Sequence, residues 1–187
     1  MVFNKLFAKN ILVFTFVAAL AFACTQKPNF PLEPSIELAG ITKIRVEDKL
    51  SSTPNNKVFR DSVSISVNFR DGNGDLGVNE AEKTKLTEKG EYNYIVKRFV
   101  RVKGKYLEFN PIPSHSGNFI TLKPGAKAGP IEGTLNYAIE FSPFTSLRND
   151  TVKFEIQIVD RAKNLSNTVM TDSVLVYELN KSSLIIK

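Results

Sequence analysis

Residues 62–70 read SVSISVNFR, in which Val63, Ile65, Val67 and Phe69 alternate with Ser62, Ser64, Ser66, Asn68 and Arg70. Successive side chains of an extended chain point to opposite sides, so this period of two belongs to a strand with one buried face and one wet face. Two later stretches repeat the pattern. Leu135, Tyr137, Ile139 and Phe141 alternate with Thr134, Asn136, Ala138 and Glu140, while Val152, Phe154, Ile156 and Ile158 alternate with Lys153, Glu155 and Gln157. The inward row of 62–70 is expected to meet Phe154, Ile156 and Ile158 from a facing or neighbouring strand.

Working outward, further strands are expected at 41–46, 92–102, 106–109, 119–122 and 168–177, with Lys103-Gly104 as a hairpin turn. Only 79–89 reads as helical, and it is short and polar. Seven to eight strands separated by Gly, Pro, Asn and Asp clusters predict an all-β fold, an antiparallel immunoglobulin-like β-sandwich over 35–180 followed by a tail at 181–187. A length of 187 residues with 42% hydrophobic and 24% charged side chains suits one globular domain and excludes a disordered chain or a bundle of membrane spans. One cysteine excludes an internal disulfide framework. With one histidine besides, a zinc centre built on several His or Cys ligands is excluded too.

The N-terminus reads as a sorting signal. Lys5 and Lys9 precede the apolar run ILVFTFVAALAFA at 11–23, which is shorter than the roughly 20 residues a bilayer core requires. Small residues, Ala21 and Ala23, stand directly before Cys24. This resembles the lipobox of bacterial lipoproteins, which implies a signal peptide at 1–23 and lipidation of Cys24. The alternative is an ordinary signal peptide followed by an incidental free thiol. Without Lys5 and Lys9 the chain keeps 23 basic against 19 acidic side chains, a charge of +4, which fits solubility or weak attraction to anionic envelope polymers and not nucleic acid. Thr25 is not the aspartate that resembles an inner-membrane retention signal, so outer-membrane residence is expected, the leaflet left open. Pro28, Pro31 and Pro34 give 24–34 the three-residue spacing of polyproline II and suggest a stiff tether. The other reading is that Phe30 and Leu32 pack on the domain.

Two loops carry residues suited to oxygen chemistry. In DGNGDLG at 71–77, Asp71, Asn73 and Asp75 place side-chain oxygens at alternate positions with glycines between them, as a hard cation such as Ca²⁺ requires. Glu82 falls at position twelve, where an EF-hand supplies its bidentate ligand, although position six is Leu76 and a strand precedes the loop. Asp, Asn and Gly also form turns without any metal. The second loop, DRAKNLSN at 160–167, precedes the last strand.

FRDGNGDLG together with VDRAKNLSN resembles a widespread, poorly characterised family of Gram-negative envelope lipoproteins with an immunoglobulin-like sandwich. The resemblance covers most of the mature chain. It implies that Asp160, Arg161 and Asn164 stabilise the turn before the final strand, and that Asn73 stands where an aspartate is frequent, lowering the charge of the loop. Lettered as an immunoglobulin sandwich, the two loops are the B–C and F–G connections. These lie at one end of the fold, where Asp160 could join the ligands of the first loop.

No catalytic residues are assigned. His115, in NPIPSHSGN, has no positioned acid partner, and a lone loop histidine is expected to be exposed. A glycan-binding surface lipoprotein that assists polysaccharide capture is the alternative function; it would need exposed aromatic platforms. There is no Trp, and Tyr92, Tyr94, Tyr106, Tyr137 and Tyr177 fall mostly in strand patterns. Lys97, Arg101, Lys103 and Lys105 form a basic run that reads as a solvated face or as a contact for an acidic polymer. The expected function is a non-catalytic, lipid-anchored envelope lipoprotein, a structural or interaction module with a Ca²⁺-stabilised loop. Its partners would be the membrane and an envelope protein or glycan, with the oligomeric state open.

Overall fold

The computed structural model describes residues 28–55, 57–123, 125, 128–142 and 150–177. The leader at 1–23, Cys24 and the tail at 181–187 lie outside the described residues. Among the described residues the strands are β1 (Ser35–Glu47), β2 (Phe59–Asp71), β3 (Tyr94–Val102), β4 (Lys105–Phe109), β5 (Ile131–Phe141), β6 (Asp150–Ile158), β7 (Val169–Met170) and β8 (Val174–Val176), with a helix, α1 (Glu80–Glu88), between β2 and β3. Among the described residues no helix is long and apolar enough to cross a membrane.

The strands form an antiparallel sandwich. One sheet has the order β1-β2-β5, and the other has β4-β3-β6-β7 with β8 also on β6. The chain crosses between sheets after β2, β4 and β5, which is immunoglobulin-type connectivity. The period-two rows face inward as their alternation requires. Val63, Ile65 and Val67 of β2 are fully buried, as are Phe154, Ile156 and Ile158 of β6, and they share one core with Ile139, Phe141 and Tyr94. Each such side chain contributes about 1.5–3 kcal/mol by leaving water. The opposite face of the first sheet stays polar, with cross-strand hydrogen bonds from Ser62 Oγ to Glu140 Oε1 (2.7 Å) and from Thr134 Oγ1 to Asn68 Oδ1 (2.8 Å).

Three strand expectations are corrected. β1 starts at Ser35, not at residue 41, because a bulge between Leu38 and Gly40 breaks the alternation of an otherwise continuous strand. The 168–177 stretch divides into β7 and β8: Phe154 N–H donates to the Thr171 hydroxyl (2.9 Å), so a side chain replaces the next ladder carbonyl. Residues 119–122 form no strand. They meet the chain at Leu76 and Val78 instead, through Val78 N–H to Phe119 O, Thr121 N–H to Val78 O and Leu122 N–H to Leu76 O. The Lys103-Gly104 turn forms as expected, with positive φ at both residues (49° and 83°), the combination a two-residue hairpin favours.

At the end of the sandwich near the β3–β4 turn, Arg98 points inward and is 7% exposed. Its guanidinium lies 4.1 Å from the centre of the Phe109 ring, and its Nη1 is 3.3 Å from His115 Nε2. His115 is therefore not the exposed loop residue its surroundings in sequence suggest. It is half-buried, with its ring 5.5 Å from that of Phe141. Burial, and secondarily the Arg98 charge, push the imidazole down to about 4. A folded value below the unfolded 6.5 means that the unfolded chain binds the proton more readily. The stability this group contributes is thus complete above about pH 6.5 and lost as pH falls toward 4. Between pH 7 and 4 the wild type should lose about 2–3 kcal/mol more stability than His115→Gln, measured by denaturant titration at each pH. Parallel losses in the two proteins would mean that His115 titrates as it does in water.

Candidate metal centre

β2 extends its inward row by one residue beyond Phe69 to Asp71, which is fully buried. The chain then turns back, and Leu76 drops into the core and pairs with Asp160 in an isolated antiparallel bridge. Position six of the loop is thus a core anchor, which accounts for leucine where an EF-hand has glycine. The same bridge brings the 160–164 turn, just past β6, against the loop that follows β2. Asp71, Asp75 and Asp160 each place a carboxylate oxygen so that all three lie within 4.8 Å of one another.

Much of the donor set is committed, and part of it is not. Asp75 N–H is shared between Asp71 Oδ2 (3.1 Å) and Asn73 Oδ1 (3.3 Å), so Asn73 shapes the loop from within. Asn164 holds Asp160 in place: its backbone N–H donates to Oδ1 and its side-chain amide to Oδ2, both at 2.7 Å. Asp71 Oδ1 and Asp75 Oδ1, by contrast, are buried without a hydrogen-bond partner. Burial and then the Asp75 charge raise the Asp71 carboxyl above its ordinary range. Burial and then Asp160 do the same to Asp75. An ionised carboxylate removed from water without a partner costs several kcal/mol, so this corner favours either protons or a cation. All available donors are oxygens, a set that fits a hard cation and not a thiophilic one.

Glu82 is not brought to this cluster. It is the third residue of α1, where its Oε2 accepts from Asn79 N–H (3.0 Å) while Asn79 Oδ1 accepts from Glu82 N–H (2.8 Å), a reciprocal capping box. Arg161 also donates to Glu82 Oε2 at 2.6 Å. The count of twelve that singled out Glu82 belongs to a loop continuing to its last ligand, whereas here a helix begins first. Arg161 consequently ties the 160–164 turn to α1, and Asn164 orients Asp160.

The glycines serve a purpose other than wrapping a point. A Cβ on Gly72 would collide with the carbonyl oxygens of Phe30 and Pro31, one on Gly74 with that of Gly129, and one on Gly77 with that of Ile120. Each glycine lets a different backbone segment pack directly against the loop. Gly72 N–H donates to Pro31 O (2.9 Å), and the Arg70 guanidinium lies over the Phe30 ring, 5.9 Å from its centre. Of the two apolar residues of the Pro-rich segment, Phe30 packs on the domain and Leu32 remains 61% exposed.

Between α1 and the 160–164 turn lies a cleft of about 470 Å³. Its wall includes Lys85 and Lys89, one helical turn apart; that spacing was readable in the sequence, but the surface they face was not. The tyrosines form no exposed platform. Tyr94 is buried and stacked on Tyr137 with ring centres 4.4 Å apart, and the other four are half-buried. In the basic run, Lys97 pairs with Glu155 at 2.9 Å and Lys103 occupies the hairpin turn.

No protein-family model matches the chain, and no curated protein or solved structure matches it.

Direct backbone packing at Gly77 makes a specific demand. Its φ is +86°, and any Cβ meets the backbone of Ile120, whereas Gly90, at φ +70°, has nothing within 4 Å of its Cβ position. Gly90→Ala should carry only the left-handed strain of about 1 kcal/mol. Gly77→Ala should cost about 1–3 kcal/mol more, measured by urea unfolding. Equal losses would mean that the loop yields freely at Gly77.

Proposed function

We propose that this protein is a non-catalytic, lipid-anchored β-sandwich of the Gram-negative outer membrane, a structural or interaction module whose loop end is organised by Ca²⁺. The observation that carries the metal reading is the Oδ1 atom of Asp71, fully buried and unpartnered beside the carboxylates of Asp75 and Asp160. Asp71, Asp75 and Asp160 would hold the cation. Asn73 and Asn164 set the positions of Asp75 and Asp160, and the cation would offset the repulsion that nearby backbone N–H groups and Arg161 offset only in part. The role is structural, because the donor set includes no group that would ionise a bound water for attack or exchange electrons. The anchor reading rests on the apolar run at 11–23 ending at Cys24.

The Ca²⁺ reading is tested by melting the protein in excess Ca²⁺ and in excess chelator. At about 100 times the dissociation constant the cation adds about 2.7 kcal/mol, a rise of roughly 5–11 °C for a domain of this size. Asp71→Asn keeps the shape of the side chain and removes its charge. It should melt no lower than wild type in chelator and lose most of the Ca²⁺ response. Superimposable wild-type curves, with no heat of Ca²⁺ binding by calorimetry, would leave the loop as a turn alone. The anchor has its own readout: Cys24→Ser should shift the protein out of the membrane fraction, and unchanged retention and processing would refute lipidation.

A further inference from the structure

The cleft, the aspartate cluster and the seat of the Pro-rich segment share one end of the sandwich. Gly72, which receives Pro31, follows Asp71 of the cluster, and Asp160 of the same cluster also lines the cleft. Five residues separate Cys24 from Phe30, a reach of about 20 Å at full extension. A lipid on Cys24 therefore holds this end, and not the β3–β4 turn, against the bilayer surface.

The charges of the cleft divide unevenly. Glu82 is paired with Arg161 at 2.6 Å and Glu91 with Lys163 at 3.8 Å. Asp160 has both oxygens engaged with Asn164. Lys85 and Lys89 are exposed and form no ion pair among the described residues, and with Arg161 and Lys163 they set four cations against Glu82, Glu91 and Asp160, a net charge of +1 for the wall. α1 buries none of its residues fully, its Leu86 is half-buried at the cleft, and polar contacts tie it to the rest of the domain. At the same end Leu165 is 54% exposed and Ile120 49% exposed, apolar side chains suited to the boundary between headgroups and acyl chains.

We infer that this cleft takes the phosphate of an anionic phospholipid headgroup, with Lys85 and Lys89 as its cationic contacts. The inference rests on the anchor reading for the placement of the cleft at a membrane, while its test does not use the anchor. Two ammonium groups one helical turn apart can share a phosphodiester. About 470 Å³ leaves room for the headgroup that carries it. The domain would then meet its membrane through a lipid and a face, the pair of weak signals that together fix an orientation.

Among the described residues all buried apolar side chains lie between Ile36 and Val176, so a chain starting at Thr25 keeps that core and is expected to fold without leader or lipid. This chain is sedimented with vesicles of phosphatidylcholine alone and of phosphatidylcholine with phosphatidylglycerol. Binding is expected only to the second. Lys85→Gln and Lys89→Gln should each weaken it about fivefold, and the double variant roughly 25-fold. Lys105→Gln, beside the hairpin at the opposite end, should leave it unchanged. Equal binding to neutral vesicles, or an equal loss from Lys105→Gln, would overturn the inference. So would inorganic phosphate or glycerol phosphate binding the cleft as tightly as the vesicles do, because the source would then be a soluble phosphate. Since this chain lacks Cys24, a protein that is never lipidated still gives an unambiguous answer.

Discussion

Backbone packs directly on backbone around the loop at 72–77, and the upper end of the sandwich depends on that contact. Gly72, Gly74 and Gly77 admit the carbonyls at 30–31, 129 and 120, the first from the segment before β1 and the other two from opposite ends of the β4–β5 connection. The bridge from Leu76 to Asp160 adds the turn after β6. Three distant parts of the chain thus converge on six residues. A side chain at any of these glycines would push a peptide group away from its hydrogen bonds, and buried peptide groups tolerate that poorly.

The inward row of β2 ends in a carboxylate at each extremity, and the two ends are resolved differently. Asp61, 2% exposed, accepts from Tyr177 N–H at 2.6 Å and lies 4.0 Å from Arg45 Nε, so its charge has both a donor and a cation nearby. Asp71 has only backbone N–H groups, from Gly74 and Asp75, and two further carboxylates for neighbours. A sandwich that can satisfy a buried aspartate at one end with its own groups leaves the same residue type short of positive charge at the other. That asymmetry within one strand is what the proposed cation would answer, and a turn merely rich in aspartate and asparagine would not need it.

The period of two carried the architecture. Wherever alternation was unbroken, as at 62–70, 134–141 and 152–158, strand and inward face were legible because burial on one side leaves that signature directly in the sequence. It failed where a local device interrupts it: the bulge after Leu38, the Thr171 hydroxyl in the ladder, and 119–122, whose partners are in a loop. Asp160 was reachable from strand lettering, since the two connections had to share an end. Counting along the chain puts Glu82 at position twelve, but the helix that begins at Glu80 turns its side chain into the capping box at Asn79. The neighbours of His115 and of the glycines are set by contacts far apart in sequence or across sheets, which no local pattern encodes.

The helix α1 shows how far the aspartate cluster reaches. It contributes no buried residue, so packing does not fix its position. Its attachments are polar: the capping box at Asn79, Asn118 Nδ2 donating to Thr87 Oγ1 (3.1 Å), and Arg161 on Glu82. Arg161 is the neighbour of Asp160, and the 160–164 turn is closed by Asp160 N–H to Asn164 O (3.1 Å) as well as by the Asn164 contacts to the Asp160 carboxylate. The turn so closed, and bridged to Leu76, carries the guanidinium that holds the first turn of α1. Short exposed helices are marginal without such support. The cleft, bounded by α1 on one side and by this turn on the other, thus has one wall held by polar contacts and one anchored to the core through the bridge from Asp160 to Leu76.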